Sequence, residues 1–162
     1  MTTTYPPDPL TLQVIDRIVT VLKGIVGGAD YFYTVGENVI KGAKHYQEVT
    51  SFPFDMVSAE TEDRKPEYLP DNLVRKYMAV SVKAYVDAEG GEPVTKLLKH
   101  LRDVQKAINE DSRSGTAGAL GAIADFTEIE TVETDNGMLA LEGYGYFDQR
   151  VVVCITGNWG TL

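Results

Sequence analysis

Tyr77-Met78-Ala79-Val80-Ser81-Val82-Lys83-Ala84-Tyr85-Val86 alternates without a break: Tyr77, Ala79, Ser81, Lys83 and Tyr85 on one side, Met78, Val80, Val82, Ala84 and Val86 on the other. Successive side chains of a strand point to opposite faces of a sheet, so this stretch is a strand with its second face on the core. Past Gly90-Gly91-Glu92-Pro93 the period changes. Val94, Leu97, Leu98, Leu101, Val104 and Ile108 recur at helical spacing, with Lys96, Lys99, Asp103 and Lys106 opposite them. The spacing predicts a helix over about 93–110 that lays an apolar stripe on a sheet.

Toward the N-terminus, Asp8-Pro9 has the chemistry of a helix start, and residues 1–8 read as an arm before it. Leu10, Val14, Ile15, Ile18, Leu22 and Ile25 share a helical face that Gly27-Gly28 ends, which predicts a helix over about 9–26. The aromatic and β-branched run Tyr31-Phe32-Tyr33-Thr34-Val35 predicts a strand, continued or returned by Asn38-Val39-Ile40. A short strand from Phe54 to Ala59 follows Phe52-Pro53. Residues 60–76 carry Pro66, Pro70 and dense charge without periodicity, and read as a long acidic surface loop.

Toward the C-terminus, the small residues from Gly115 to Ala122 read as a loop or weak helical turn. Two strands, Phe126 to Thr134 and Met138 to Ile155, flank Asn136-Gly137, a hairpin turn signal. A two-residue turn there sets Val132 opposite Leu141 and Phe126 opposite Phe147. Gly143 and Gly145 then face Glu130 and Glu128, at a bulge or a close approach. The order of elements predicts one α+β domain over residues 1–162, with two main helices packed on an antiparallel or mixed sheet.

A chain of 162 residues that is 43% hydrophobic has enough apolar surface for a core of its own. Its 15 Lys and Arg against 24 Asp and Glu give a net charge of −9, which argues against holding nucleic acid through its phosphates. Cys154 is the single cysteine, so an intrachain disulfide and a cysteine-based zinc site are both excluded. Met1-Thr2-Thr3-Thr4-Tyr5 has no basic region, and the apolar stretch from Leu10 to Val26 is interrupted by Asp16, Arg17 and Lys23. Neither a signal peptide nor a membrane span is expected.

Little in the chain points to catalysis. Gly115, Gly118 and Gly121 follow a helix rather than a strand and match no phosphate-binding loop. His100 has Lys96 four residues before it and no carboxylate or second histidine at i±4, and His45 sits in a loop where a solvated ring is the default. Cys154 alternates within a strand, the setting of a buried, inert thiol. Glu128, Glu130, Glu133 and Asp135 lack the spacing of a calcium loop and read as a solvated face.

Charge is distributed unevenly. Seven acids and no Lys or Arg lie between Ser114 and Gln149, and six acids against Arg64 and Lys65 lie between Asp55 and Asp71. The predicted second helix is basic through Lys96, Lys99, Arg102 and Lys106. Opposite charges on different faces of one small domain suit head-to-tail contacts between copies, although for any single charge a solubilising role is the simpler reading.

An N-terminal amphipathic helix, aromatic strands, the segment Ser51-Phe52-Pro53-Phe54-Asp55-Met56-Val57, an acidic loop, and a strand running into a second helix follow in order. A late hairpin ends in Arg150-Val151-Val152-Val153-Cys154-Ile155. Over nearly its whole length this order resembles the tail terminator (tail completion, minor tail) proteins of long-tailed bacteriophages. The stretch from Tyr77 to Asp111 carries most of the likeness.

The resemblance implies a structural virion protein of the tail or neck, assembled in the host cytoplasm, with no catalytic residues, cofactor or metal, and no membrane partner. It implies a homo-oligomeric ring, usually a hexamer, that caps the head-proximal end of the tail tube and stops its polymerisation. Its partners would be the tail tube protein and the head–tail connector or neck protein, with DNA passing through the lumen without specific binding. Carried onto this chain, Glu60, Glu62 and Asp63, or Glu128 and Glu130, are candidates for the lumen. Lys96, Lys99, Lys106, Thr116 and Leu120 are candidates for subunit or tube contacts. Two other readings stand beside this one: a neck, connector or contractile-injection-system terminator component, and a small α+β enzyme or ligand-binding module using the Gly115–Gly121 loop.

Overall fold

The two longest strands, β4 (Leu73–Asp87) and β6 (Tyr144–Asn158), pair antiparallel without interruption from Leu73 opposite Asn158 to Asp87 opposite Tyr144. Fifteen paired residues make a ladder roughly 50 Å long. The computed structural model describes residues 9–60, 64–87, 92–113, 120, 123–135 and 143–158. Among these, the remaining strands are β1 (Val39–Lys41), β2 (Phe54–Ala59), the two-residue β3 (Glu67–Tyr68) and β5 (Phe126–Asp135). They make a sheet of order β1-β2-β4-β6-β5, with β3 added to β4 at its start. The β1–β2 pair is parallel and every other pair antiparallel, so the sheet is mixed.

Helices α1 (Leu10–Lys23) and α2 (Pro93–Arg113) both pack on one face of this sheet. The core between them holds Val80, Val82, Ala84 and Val86 of β4, Phe147, Val151, Val153 and Ile155 of β6, Val14, Ile18 and Leu22 of α1, and Leu97, Val104 and Ile108 of α2. The even-numbered residues of the alternating stretch therefore face the helices, as their pattern predicts. Gly145 lies where α2 comes closest. A Cβ there would stand 2.8 Å from Val86 Cγ2 and 3.5 Å from Leu97 Cδ1.

Several expectations are corrected. Tyr31–Val35 is not a strand but a loop, held by a carboxylate from α2. Asp103, read from the sequence as solvent-facing, is fully buried, and its Oδ2 accepts from the backbone N–H groups of Phe32 and Tyr33 at 2.8 and 2.9 Å. Once a buried carboxylate satisfies those donors, the segment has no need of a strand partner. The predicted loop over 60–76 is broken by β3 and by the early start of β4. Asp71 and Asn72, both at positive φ, make the turn between them.

The C-terminal hairpin has a different register from the one the Asn136-Gly137 turn predicts. Phe126 lies opposite Cys154 and Val132 opposite Gln149. Residues 136–142 lie outside the described residues. The last pair is Asp135 opposite Tyr146, so the two strands are joined through a connection longer than two residues. Within β5, Ile129 and Val132 both pack on the core although they are three apart. An irregularity between them shifts the ladder by one residue and lets both point inward. Buried Gln149 serves the bulge: its Nε2 donates to the Glu130 carbonyl at 3.0 Å and its Oε1 accepts from Gln105 at 2.7 Å.

His100 is also placed differently from the sequence reading. Its ring is fully buried, and Nε2 lies 2.7 Å from Oδ1 of Asp55, itself fully buried on β2. The pair ties α2 to a strand 45 residues earlier, with Tyr33 and Phe147 packed on the imidazole.

Three outcomes test these anchors. Asp55→Ala leaves the imidazole buried without its partner and lowers unfolding free energy by about 3 kcal/mol in urea titrations. The double change Asp55→Val with His100→Leu costs less than either single truncation, because no polar group is left orphaned. Asp103→Ala speeds hydrogen exchange at the Phe32 and Tyr33 amides and leaves the β4 amides protected.

Candidate functional site

The face of the sheet away from the helices is not a plain solvated surface. In the ladder it presents Tyr77, Ala79, Ser81, Lys83 and Tyr85 from β4 and Tyr144, Tyr146, Asp148, Arg150, Val152 and Cys154 from β6. At one end lies an aromatic group. Tyr144 packs on Tyr46 at 5.3 Å and on Phe52 at 5.4 Å between ring centroids, and Tyr85 packs on Tyr146 at 5.5 Å. Desolvation raises the Tyr146 phenol above its ordinary range, with Asp148 adding to the shift. Below these rings, Phe54 and Met56 of β2 form a small second core with Val49.

The middle of this face is an ion-pair network. Arg64 reaches both Glu128, at 2.8 Å, and Glu130, and its guanidinium lies 5.3 Å from the Tyr77 ring centroid. Arg150 binds Glu130 at 2.5 Å and Glu60 at 3.3 Å. Beside it, Lys83 meets Asp148 at 3.4 Å. Hydrogen bonding to Glu128 is the main cause that raises the Arg64 pKa. The structure thus brings together three of the five lumen candidates, Glu60, Glu128 and Glu130, around two arginines. Three carboxylates against two guanidinium groups leave a local charge of −1, so this part of the face is nearly balanced rather than strongly acidic. Glu62 and Asp63 lie outside the described residues.

The contact candidates separate. Lys99 and the neighbouring Arg102 are exposed on α2 and stand 5.3 and 5.1 Å from the centroid of the Phe32 ring. Lys106 is engaged within the chain, with Asp30 at 3.1 Å, Glu110 at 3.6 Å and the Tyr31 ring at 4.8 Å. Burial and a hydrogen bond to Glu110 push the Tyr31 phenol up to about 12. Lys96 lines a cleft of about 260 Å³ with Tyr33, Phe52, Pro53 and Asp87. Leu120 is fully buried in the core, so it has no surface to offer a second subunit. Thr116 lies outside the described residues.

The structure also shows features that the sequence reading missed. Val94 and Leu98, counted in the core stripe of the second helix, are 44% and 54% exposed, and Phe32 is 50% exposed. A signal for Leu98 was present. Adjacent residues of a helix point about 100° apart, so Leu97 and Leu98 cannot both lie at the centre of one stripe. No signal marks Asp55 as the partner of His100, because their meeting depends on how far α2 is rotated over β2. His45 is exposed, and its Nδ1 accepts from the Gln47 N–H at 3.4 Å, capping a 3-10 turn at Tyr46–Glu48. Cys154 is buried, and desolvation raises its thiol pKa. Among the described residues, no cluster of three or more His, Cys, Asp or Glu side chains is placed to hold a metal ion, and no helix is long and apolar enough to cross a membrane.

A family model described as Bacteriophage Tail Tube Terminator Protein matches residues 10–153, which run from the first residue of α1 to the middle of β6. No curated protein matches the chain.

The balance of the ion-pair network is testable. Arg150→Ala leaves Glu60 and Glu130 facing each other with less positive charge between them, and lowers stability by about 2 kcal/mol at low salt. In 1 M sodium chloride, where the Debye length is about 3 Å, the deficit relative to the unsubstituted chain shrinks. Paired urea titrations at the two salt concentrations check this.

Proposed function

The chain belongs to the bacteriophage tail tube terminator family, and from that premise we propose that it forms a ring, a hexamer, on the head-proximal end of the tail tube. Seated there, the ring stops addition of tube subunits and presents its other side to the head–tail connector. The observation that carries this reading is the family match across residues 10–153, which takes in both helices and most of the sheet. Family membership makes the chain a structural protein of the phage tail. The ring, its order of six, the connector contact and the DNA lumen are the parts proposed here.

The charge pattern supports a lumen of a particular kind. A basic bore would bind phosphate through counterion release and hold the genome in place. The open sheet face carries Glu60, Glu128 and Glu130 compensated by Arg64 and Arg150, with no excess of cations in that network. A face of this kind turned to the lumen offers DNA neither a binding site nor a strong barrier, which suits rapid passage in either direction.

Electron microscopy of tails assembled with and without the protein tests the function. Tails lacking it are expected to carry tubes of variable, extended length that do not join heads, and adding the purified chain restores a single length. Tubes of unchanged, fixed length in its absence would overturn the terminator reading.

A further inference from the structure

We infer that the outer face of α2 and the acidic edge strand β5 are the two halves of one contact, made head to tail between copies of this chain. The inference rests on the ring reading and names the surfaces that build the ring.

The first half is the outer surface of α2 with the adjoining Phe32, where Val94, Leu98 and Phe32 are each exposed. Val94 and Leu98 lie one helical turn apart, and Phe32 sits beneath Lys99 and Arg102. Exposed apolar side chains on one helix together with an aromatic ring under a lysine and an arginine have the composition of a protein contact surface. Asp103, the acid beside it, is buried and accepts from the backbone of Phe32 and Tyr33. Arg102 lies 3.7 Å from its other oxygen, at the edge of an ion pair.

The second half is β5. Among the described residues this strand pairs with β6 alone, so its other edge is open. Phe126 is 38% exposed there, flanked by Asp125 and Glu128, with Glu133 exposed further along the strand. Among the described residues Asp125 and Glu133 are in no ion pair, in contrast to Glu128 and Glu130. The strand therefore offers an exposed aromatic side chain next to Asp125, with Glu133 as a second unpaired acid further along, opposite in charge to the cations of α2.

A second copy is the occupant because each patch finds its complement on this same chain and cannot reach it within one copy. The α2 patch faces outward on the helix side of the sheet, whereas Phe126 and Glu128 lie on the opposite face in register with Cys154 and Val152. Two different patches joined between copies make a heterologous contact, which closes into a ring when the rotation permits. The acids on β5 also discourage two β5 edges from pairing with each other, a wrong assembly that an open strand edge invites.

Charge reversal in two variants tests the contact. Lys99→Glu with Arg102→Glu makes both surfaces acidic, and Asp125→Lys with Glu133→Lys makes both basic. All four positions are exposed, and matched thermal midpoints and circular dichroism confirm that each variant folds. In light scattering at 0.1 M salt each variant alone is expected to lose self-association by about 100-fold or more, because like charges now meet. Mixed in equal amounts, the two are expected to assemble again as an alternating oligomer with an even number of subunits. Variants that assemble as the unsubstituted chain does would overturn the contact and leave the ring standing. Variants that assemble normally while the α2 variant fails to cap tubes would reassign the patch to the tube protein, and so overturn the inference. An unsubstituted chain that stays monomeric to about 1 mM, and on isolated tube ends, removes contact and ring together. Tail-length microscopy still reports on termination by itself.

Discussion

The β4–β6 ladder is the constraint on which the rest of the structure depends. Fifteen consecutive pairs leave no freedom of register, and a slip of one residue would turn Val80, Val82, Val151 and Val153 out of the core. Both helices pack on the face those residues define. β2 and β5 are placed by pairing with the two sides of the ladder, and β1 by pairing with β2. Even the bulge in β5 follows from it. With β6 immobile, the edge strand has to absorb the mismatch between Ile129 and Val132, and Gln149 supplies the hydrogen bond that the irregularity would otherwise leave unmade.

Buried polar side chains then fasten what hydrophobic burial leaves loose. Apolar contacts are not directional and do not fix how far a helix is rotated over a sheet. The His100–Asp55 pair does fix it for α2, since each member is fully buried and would be costly to strand. Asp103 does the same for the loop after α1 through two backbone donors. The two anchors lie within one turn of each other on α2 and together decide where Phe32 emerges on the surface. The exposure of that ring under Lys99 and Arg102 is thus a consequence of polar groups in the interior.

The same division governs charge. A net charge of −9 describes the chain poorly as a surface, because much of it is compensated locally. Arg64 and Arg150 gather Glu60, Glu128 and Glu130 on the open sheet face, while Lys106 is occupied by Asp30 and Glu110. Beyond these networks, Lys99 stands exposed over Phe32 on one side, and Asp125, beside Phe126, and Glu133 are exposed on the other. For a member of a tail terminator family, that asymmetry is a basis for association with defined polarity.

Local periodicity in the sequence determined the two helices, the central strand and its buried face, the strand from Phe54 to Ala59 and the α+β class. Those elements rest on side chains a few residues apart, where spacing alone dictates which face is apolar. The sequence order of elements was also enough to point to the tail terminator family. Tertiary structure decided everything that joins distant residues. A buried acid turned an aromatic run that reads as a strand into a loop, and a fifteen-residue ladder overrode an Asn-Gly turn signal in setting the hairpin register. It also placed Leu120 in the core and left Leu98 on the surface. Glu128 and Glu130, read along the chain as one acidic stripe, are compensated by arginines 64 to 66 residues before and about 20 residues after them. The physical reason is common to all of these: a polar or apolar side chain answers to whatever the fold brings within a few ångströms, and a linear sequence does not contain that distance.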